Sequence, residues 1–130
     1  MLLRVSAYIV SGMAKLKTTI VFDSGARIGP GKIALLESIR DSGSISAAAR
    51  SMGMDYKRAW TLLESINQAF DEAVVIASPG GTRGGGAQLT SFAMELLERY
   101  RRIEQQAADL AAEDIASLAA RARPEIGEKI

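Results

Sequence analysis

The alternation of apolar and polar positions divides this chain into short elements. Leu16-Lys17-Thr18-Thr19-Ile20-Val21-Phe22 is rich in β-branched residues and predicts a strand, with a turn at Asp23-Ser24-Gly25. After Gly29-Pro30-Gly31 the period changes. Ile33, Leu36 and Ile39, with Leu35 beside them, recur at helical spacing until Asp41-Ser42-Gly43, which predicts a helix over about 30–41. Ser46 is a good N-cap for the very short helix Ala47-Ala48-Ala49-Arg50-Ser51-Met52, ended by Gly53. Asp55 caps another helix, which runs to about Gln68. Ala59, Leu62, Leu63, Ile66 and Phe70 share one of its faces, leaving Tyr56, Lys57, Thr61 and Glu64 outward. Val74-Val75-Ile76 reads as a short strand, with Gln88-Leu89 as its return. Thr90 then caps a long helix with the stripe Leu96, Tyr100, Ile103, Ala107 and Leu110. Spacings of four, three, four and three make that stripe a heptad seam, and a seam of this kind predicts pairing with a second copy. It breaks around Glu113-Asp114 and resumes with Ile115, Leu118 and Ala122, so a kink or a second helix is expected before Pro124 ends the segment.

The centre of this pattern is two short helices joined by a tight turn at Gly53-Met54. The first is too short to stand alone, since helices below roughly 12 residues are marginal in water. It has to pack on its neighbours through Ala48, Ala49 and Met52. This is helix-turn-helix logic, in which the second helix offers its N-terminal end to the DNA major groove. Tyr56, Lys57, Arg58, Trp60 and Thr61 stand at that end. Lysine and arginine can bridge guanine O6 and N7 or neutralise phosphate, and the hydroxyls of Tyr56 and Thr61 can bond base edges or phosphate. Ser46 is a capping residue whose position is compatible with a phosphate contact. Trp60 lies on the boundary between the two faces. A lone tryptophan is more often core than contact, so both roles are open to it.

Composition narrows the chemistry. The 130 residues suit one domain of ordinary size with an extra helix, and 48% hydrophobic content is enough for a packed core. With no cysteine, disulfides and thiolate metal sites are excluded. With no histidine, the commonest general base is missing, and an enzyme is not expected. Net charge is +1, yet residues 1–60 hold nine Lys/Arg against four Asp/Glu, while residues 61–130 hold seven against eleven. An excess of +5 in the first half points to an anionic partner, although random clustering on a solvated surface would produce the same asymmetry. Residues 1–13 are too short and interrupted for a transmembrane helix and lack the layout of a signal peptide. They read as a disordered extension of a cytoplasmic protein, with Met13 as an alternative start.

The stretch Ser78-Pro79-Gly80-Gly81-Thr82-Arg83-Gly84-Gly85-Gly86-Ala87-Gln88-Leu89-Thr90 holds five of the twelve glycines. A nucleotide cradle is a poor fit. The Walker pattern requires a lysine after its last glycine, but Ala87 follows Gly86, and no Rossmann spacing is present. Lying after a helix-turn-helix and between two short strands, the stretch reads as the tip of a wing. There Thr82 and Arg83 would meet DNA backbone or minor groove, with glycines letting the main chain approach an anion. A plain flexible hairpin is the competing reading.

Two stretches carry a family likeness. Ser42-Gly43-Ser44-Ile45-Ser46-Ala47-Ala48-Ala49-Arg50-Ser51-Met52-Gly53-Met54 resembles the helix-turn-helix of LysR-type bacterial regulators. Asp55-Tyr56-Lys57-Arg58-Ala59-Trp60, followed by Asn67 and by Gly80-Gly81-Thr82-Arg83-Gly84-Gly85-Gly86-Ala87-Gln88-Leu89-Thr90, is similar to the N-terminal DNA-binding domain of ModE-type, molybdate-responsive transcription regulators. The resemblance covers roughly residues 16–110. It implies a winged helix that dimerises through long helices and binds a palindromic operator. Full-length members of that family carry molybdate-binding domains after this module. The 130 residues leave no room for them, so direct molybdate binding is not expected here.

The expected fold is α+β, mainly α: a winged helix-turn-helix over 14–90 and a long C-terminal helical dimerisation segment over 91–124. The expected function is a cytoplasmic, homodimeric, sequence-specific transcription regulator that binds double-stranded DNA, with no catalytic residues, no metal, no cofactor and no membrane partner. Tyr56, Lys57, Arg58 and Thr61 are expected to read the major groove. The rival is a winged-helix protein-interaction module that has lost operator binding and acts through its C-terminal helices. A small-ligand or enzyme domain built on the glycine loop is disfavoured by the lack of His, Cys and a Walker lysine.

Overall fold

A computed structural model describes residues 14–78 and 86–124 of the chain. Their elements run β1 (Ile20–Val21), β2 (Arg27–Ile28), α1 (Pro30–Ser42), α2 (Ile45–Ser51), α3 (Tyr56–Ala69), β3 (Val75–Ser78), β4 (Gly86–Leu89), α4 (Ser91–Leu110) and α5 (Ala112–Ala119). They form two compact units, one of Thr18–Tyr100 and one that takes in residues 14–17 and 101–124 of the described chain. Among the described residues no helix is long and apolar enough to cross a membrane.

The helices start and stop where local chemistry dictates, with one shift from expectation. Pro30 opens α1, where a missing N–H costs nothing, and Gly43 closes it in the left-handed region at φ 71°, donating its N–H to the Ile39 carbonyl at 2.8 Å. The N-cap of α2 is Ser44, not Ser46. The Ser44 hydroxyl accepts from the Ala47 amide at 3.0 Å, and Ser46 stands exposed in the first turn. The reason is burial. Starting at Ile45 puts Ile45, Ala48 and Ala49 on one buried face, whereas a start at Ala47 would leave Ile45 without a place in the core. Gly53, at φ 69°, turns the chain between α2 and α3, and the Met54 amide reaches back to the Ala49 carbonyl at 3.0 Å. Asp55 caps α3 by accepting from the Arg58 amide at 2.8 Å.

The core of the first unit is shared by α1 (Ile33, Leu35, Leu36, Ile39), α2 (Ala48, Ala49) and α3 (Ala59, Leu63, Ile66), all buried. Trp60 is outside it at 41% exposure, which corrects the core role open to it from sequence. The buried face of α3 is made by Ala59, Leu63 and Ile66, and at about 100° per residue the indole falls just past the Leu63 edge of it. The stretch from Leu16 forms strand only at Ile20–Val21, because β2, its antiparallel partner, has just two residues before Gly29-Pro30. Phe22, Phe70 and Phe92 then meet edge to face, with ring centroids 5.6 Å and 5.2 Å apart, joining this hairpin to the end of α3 and the start of α4.

The wing strands pair antiparallel, Val75 with Leu89 through Ser78 with Gly86. Two side chains hold their base. Asn67 Oδ1 accepts the Val74 amide at 2.8 Å, and the Thr90 hydroxyl both donates to the Ala73 carbonyl at 2.8 Å and accepts from the Ala93 amide at 3.1 Å. Thr90 therefore caps α4 and ties it to the root of the wing. The Ala87 amide donates to the Gly43 carbonyl at 3.0 Å, fixing the strand beside the end of α1.

The stripe read as a heptad seam is not one exposed face. Tyr100 is buried in the first unit and donates its hydroxyl to the Thr18 carbonyl, so it is unavailable to a second chain. Leu96 is half-buried against the same core, as Ala93 and Leu97 are buried in it. A four-three spacing serves equally well to cover a core of the same chain, and the first turns of α4 do that. In the second unit Ile103 and Leu110 are exposed, Ala107 is partly so, and Leu118 on α5 is exposed too. The helix breaks at Ala111. Glu113 and Asp114, where the break was expected, lie in the first turn of α5, where carboxylates favour the positive end of the helix dipole.

Asn67→Ala should lower stability by about 1–3 kcal/mol in urea unfolding, because it leaves the Val74 amide without its acceptor beside a fully buried side chain, and Asn67→Asp should lose less. Trp60→Ala should shift the same transition by less than about 1 kcal/mol, well short of the roughly 3–5 kcal/mol lost when a core aromatic is truncated.

Candidate nucleic-acid interface

The N-terminal half of α3 offers the chemistry. Tyr56, Lys57, Arg58, Trp60 and Thr61 are all exposed there, in two turns that begin at the Asp55 cap. At about 100° per residue, Lys57, Thr61 and Glu64 fall in the middle of the outward face, with Tyr56 and Trp60 on one flank and Arg58 on the other. The Thr61 hydroxyl donates to the Lys57 carbonyl at 3.0 Å. Its proton is thus committed to the helix, and its oxygen is left to accept, as from the exocyclic amine of adenine or cytosine. Lys57 extends from the centre of the face with a charge suited to guanine O6 and N7 or to phosphate.

Each flank of this helix end borders a cleft. On the Tyr56 side a cleft of about 490 Å³ is walled by Ser44, Ile45 and Ser46 of the α2 start and by Ala77, Gly86 and Ala87 of the wing strands. Helix-turn-helix and wing therefore share one concave surface, with Ser46 and Tyr56 among the residues that line it. The Ser44 hydroxyl is already engaged by the Ala47 amide. On the Arg58 side a cleft of about 350 Å³ is lined by Arg27, Lys32 and Arg58 over Met52, Met54 and Leu62.

The structure thus brings Ser46, Tyr56, Lys57, Trp60 and Thr61 to one surface and turns Arg58 to its far edge. Thr82 and Arg83 lie outside the described residues, as do residues 1–13. Sequence reasoning missed Arg27 and Lys32. Each is an isolated basic residue beside Gly29-Pro30-Gly31, and only the positive excess of residues 1–60 signalled them.

No protein-family model matches the chain. It is 46% identical over 87 residues to the molybdenum-pterin-binding protein MopB of Rhodobacter capsulatus, covering 67% of this chain and 32% of that one. It is 39% identical over 88 residues to the DNA-binding transcriptional dual regulator ModE of Escherichia coli, covering 65% of this chain and 34% of that one. The chain spans about a third of the length of these curated relatives. Among solved structures, a CbnR DNA-binding domain in complex with DNA matches with a TM-score of 0.54 at 17% identity, over 68% of this chain and 95% of that one, a likeness of fold. The matched stretch of this chain is thus similar in sequence to about a third of each of these regulators, and its fold is that of a winged helix-turn-helix domain.

Proposed function

We propose that the protein is a sequence-specific DNA-binding transcription regulator that acts in the cytoplasm and binds a palindromic operator as a homodimer. The observation that carries this reading is the exposed start of α3, where Lys57, Tyr56 and Thr61 stand beside the cleft shared with the wing. A helix end of this shape enters the major groove with Lys57 and Thr61 towards base edges, while Tyr56 and Ser46 meet the sugar–phosphate wall. Trp60, exposed on the same flank, adds apolar contact with sugar or a thymine methyl. Thr82 and Arg83, in the glycine stretch that separates β3 from β4 in the sequence, are assigned a contact to backbone or minor groove. The relatives include a protein whose name states DNA-binding regulation, which supports the same function here.

Dimerisation is proposed through the C-terminal helices, with Ile103, Ala107 and Leu110 of α4 and Leu118 of α5 as its apolar surface. Leu110 is 90% exposed in the single chain, a solvent cost that a second copy removes. A two-fold dimer would set its recognition helices about 34 Å apart, one DNA turn.

Selection of genomic fragments by the full chain, across a salt series, tests the DNA reading. Enrichment of a palindrome is expected, with log–log affinity falling by about 0.9 per phosphate neutralised. Lys57→Ala should cost about 1–3 kcal/mol and relax the selected sequence, and Arg83→Ala should weaken binding with the sequence preference kept. Absence of any enriched fragment, with a flat salt response, favours the protein-interaction module instead. In sedimentation equilibrium, Leu110→Glu should move the chain from dimer towards monomer.

A further inference from the structure

We propose that Arg27, Lys32 and Arg58 form a second phosphate-binding cleft, which grips the DNA backbone on the side of the major groove opposite the wing. Arg58 is thereby an anchor on phosphate and not a reader of bases. The inference rests on the DNA-binding reading above and extends it to a surface that the wing and the centre of α3 do not use.

The placement comes from three separate elements. β2 carries Arg27, the first turn of α1 carries Lys32, and the first turn of α3 carries Arg58, and all three line one cleft of about 350 Å³. Arg27 and Lys32 flank the Gly29-Pro30-Gly31 turn, and Arg58, 26 residues beyond Lys32, joins them only through the fold. The Lys32 ammonium donates to the Arg27 carbonyl at 2.9 Å, which positions the lysine head and leaves two of its protons for an anion. Met52, Met54 and Leu62 line the same cleft, giving it an apolar part. Among the described residues no carboxylate lines the cleft. Three cations thus share one cleft with apolar side chains, where an arriving phosphate would be screened less than on fully open surface. The adjoining start of α1 has no side-chain cap, so the positive end of its dipole adds to the same potential.

The position relative to α3 identifies the occupant. A helix end seated in the major groove, about 12 Å wide, has a sugar–phosphate wall on either side. The wing-side cleft borders the Tyr56 flank of α3 and the basic cleft borders the Arg58 flank. One duplex lying against α3 would therefore present phosphates to both. The guanidinium fork of Arg58 suits two phosphate oxygens, and from the edge of the outward face it meets the groove wall before it meets the base edges.

The test uses the full chain and the fragment that the wild type selects, with affinity measured across a salt series. Arg27→Gln and Lys32→Gln each should weaken binding roughly three- to tenfold at low salt, equally for selected and unrelated sequences, and reduce the log–log slope by about 0.9. The selected sequence should not change. Arg58→Gln should behave in the same way, and Arg58→Lys should restore the slope. Lys57→Ala is the contrast, since it should alter the selected sequence. Thermal unfolding of each variant at the wild-type temperature confirms that the fold is intact. Wild-type affinity and slope in the Arg27→Gln/Lys32→Gln double variant would overturn the proposal and leave the DNA-binding reading standing. A changed base preference in Arg58→Gln would overturn the anchor role. Failure of the wild-type chain to bind any fragment would remove both readings together.

Discussion

A seven-residue helix has too few hydrogen bonds to hold itself together in water, and α2 persists because it is wedged between α1 and α3. The wedge depends on Ala48 and Ala49. Both are essentially fully buried, and side chains of one carbon let the helix backbones approach closely. A larger residue at either position would push α2 outward and carry the start of α3 with it. The turn then has little freedom, since Gly53 takes the left-handed conformation and the Met54 amide is tied to the Ala49 carbonyl. What α3 presents, and in which direction, therefore follows from two alanines and a glycine.

The same constraint sets the wing. The Ala87 amide bonds to the Gly43 carbonyl at the end of α1, Asn67 holds the start of β3, and Thr90 binds both the α3–β3 connection and the first turn of α4. The strands are thus fixed to the helices, and Ser46, Tyr56, Ala77 and Gly86 line one cleft beside the wing. Charge follows geometry: basic residues gather around the start of α3, while the acidic excess lies in residues 61–130.

Much of the fold was legible in the sequence. The apolar period marked α1, α3 and α4, Asp55 and Thr90 announced their helices, and the glycines at 43 and 53 marked the turns. These are local effects, decided within a few residues by capping and by backbone sterics. Reading failed where a residue had two local options. Ser44 and Ser46 are both good caps, and only the need to bury Ile45 chooses between them. The Leu16–Phe22 stretch has strand chemistry along its length, but a strand extends only as far as its partner does. Asn67 could be quoted as part of a likeness, yet its task as acceptor for the Val74 amide is visible only when seven residues of chain have folded back.

At the exposed start of α3 the division is similar. Sequence by itself determined that α3 begins at Tyr56 with a basic, aromatic outward end, that a glycine loop follows between strands, and that no cysteine or histidine chemistry is on offer. Helical period and residue type are enough for that. Only the tertiary structure decided that Trp60 stands outside the core, that Tyr100 belongs inside it, and that Arg58 turns away from the wing to join Arg27 and Lys32. Which side of a helix meets its own core depends on what packs there, and residues more than two dozen positions apart become neighbours only through long-range packing.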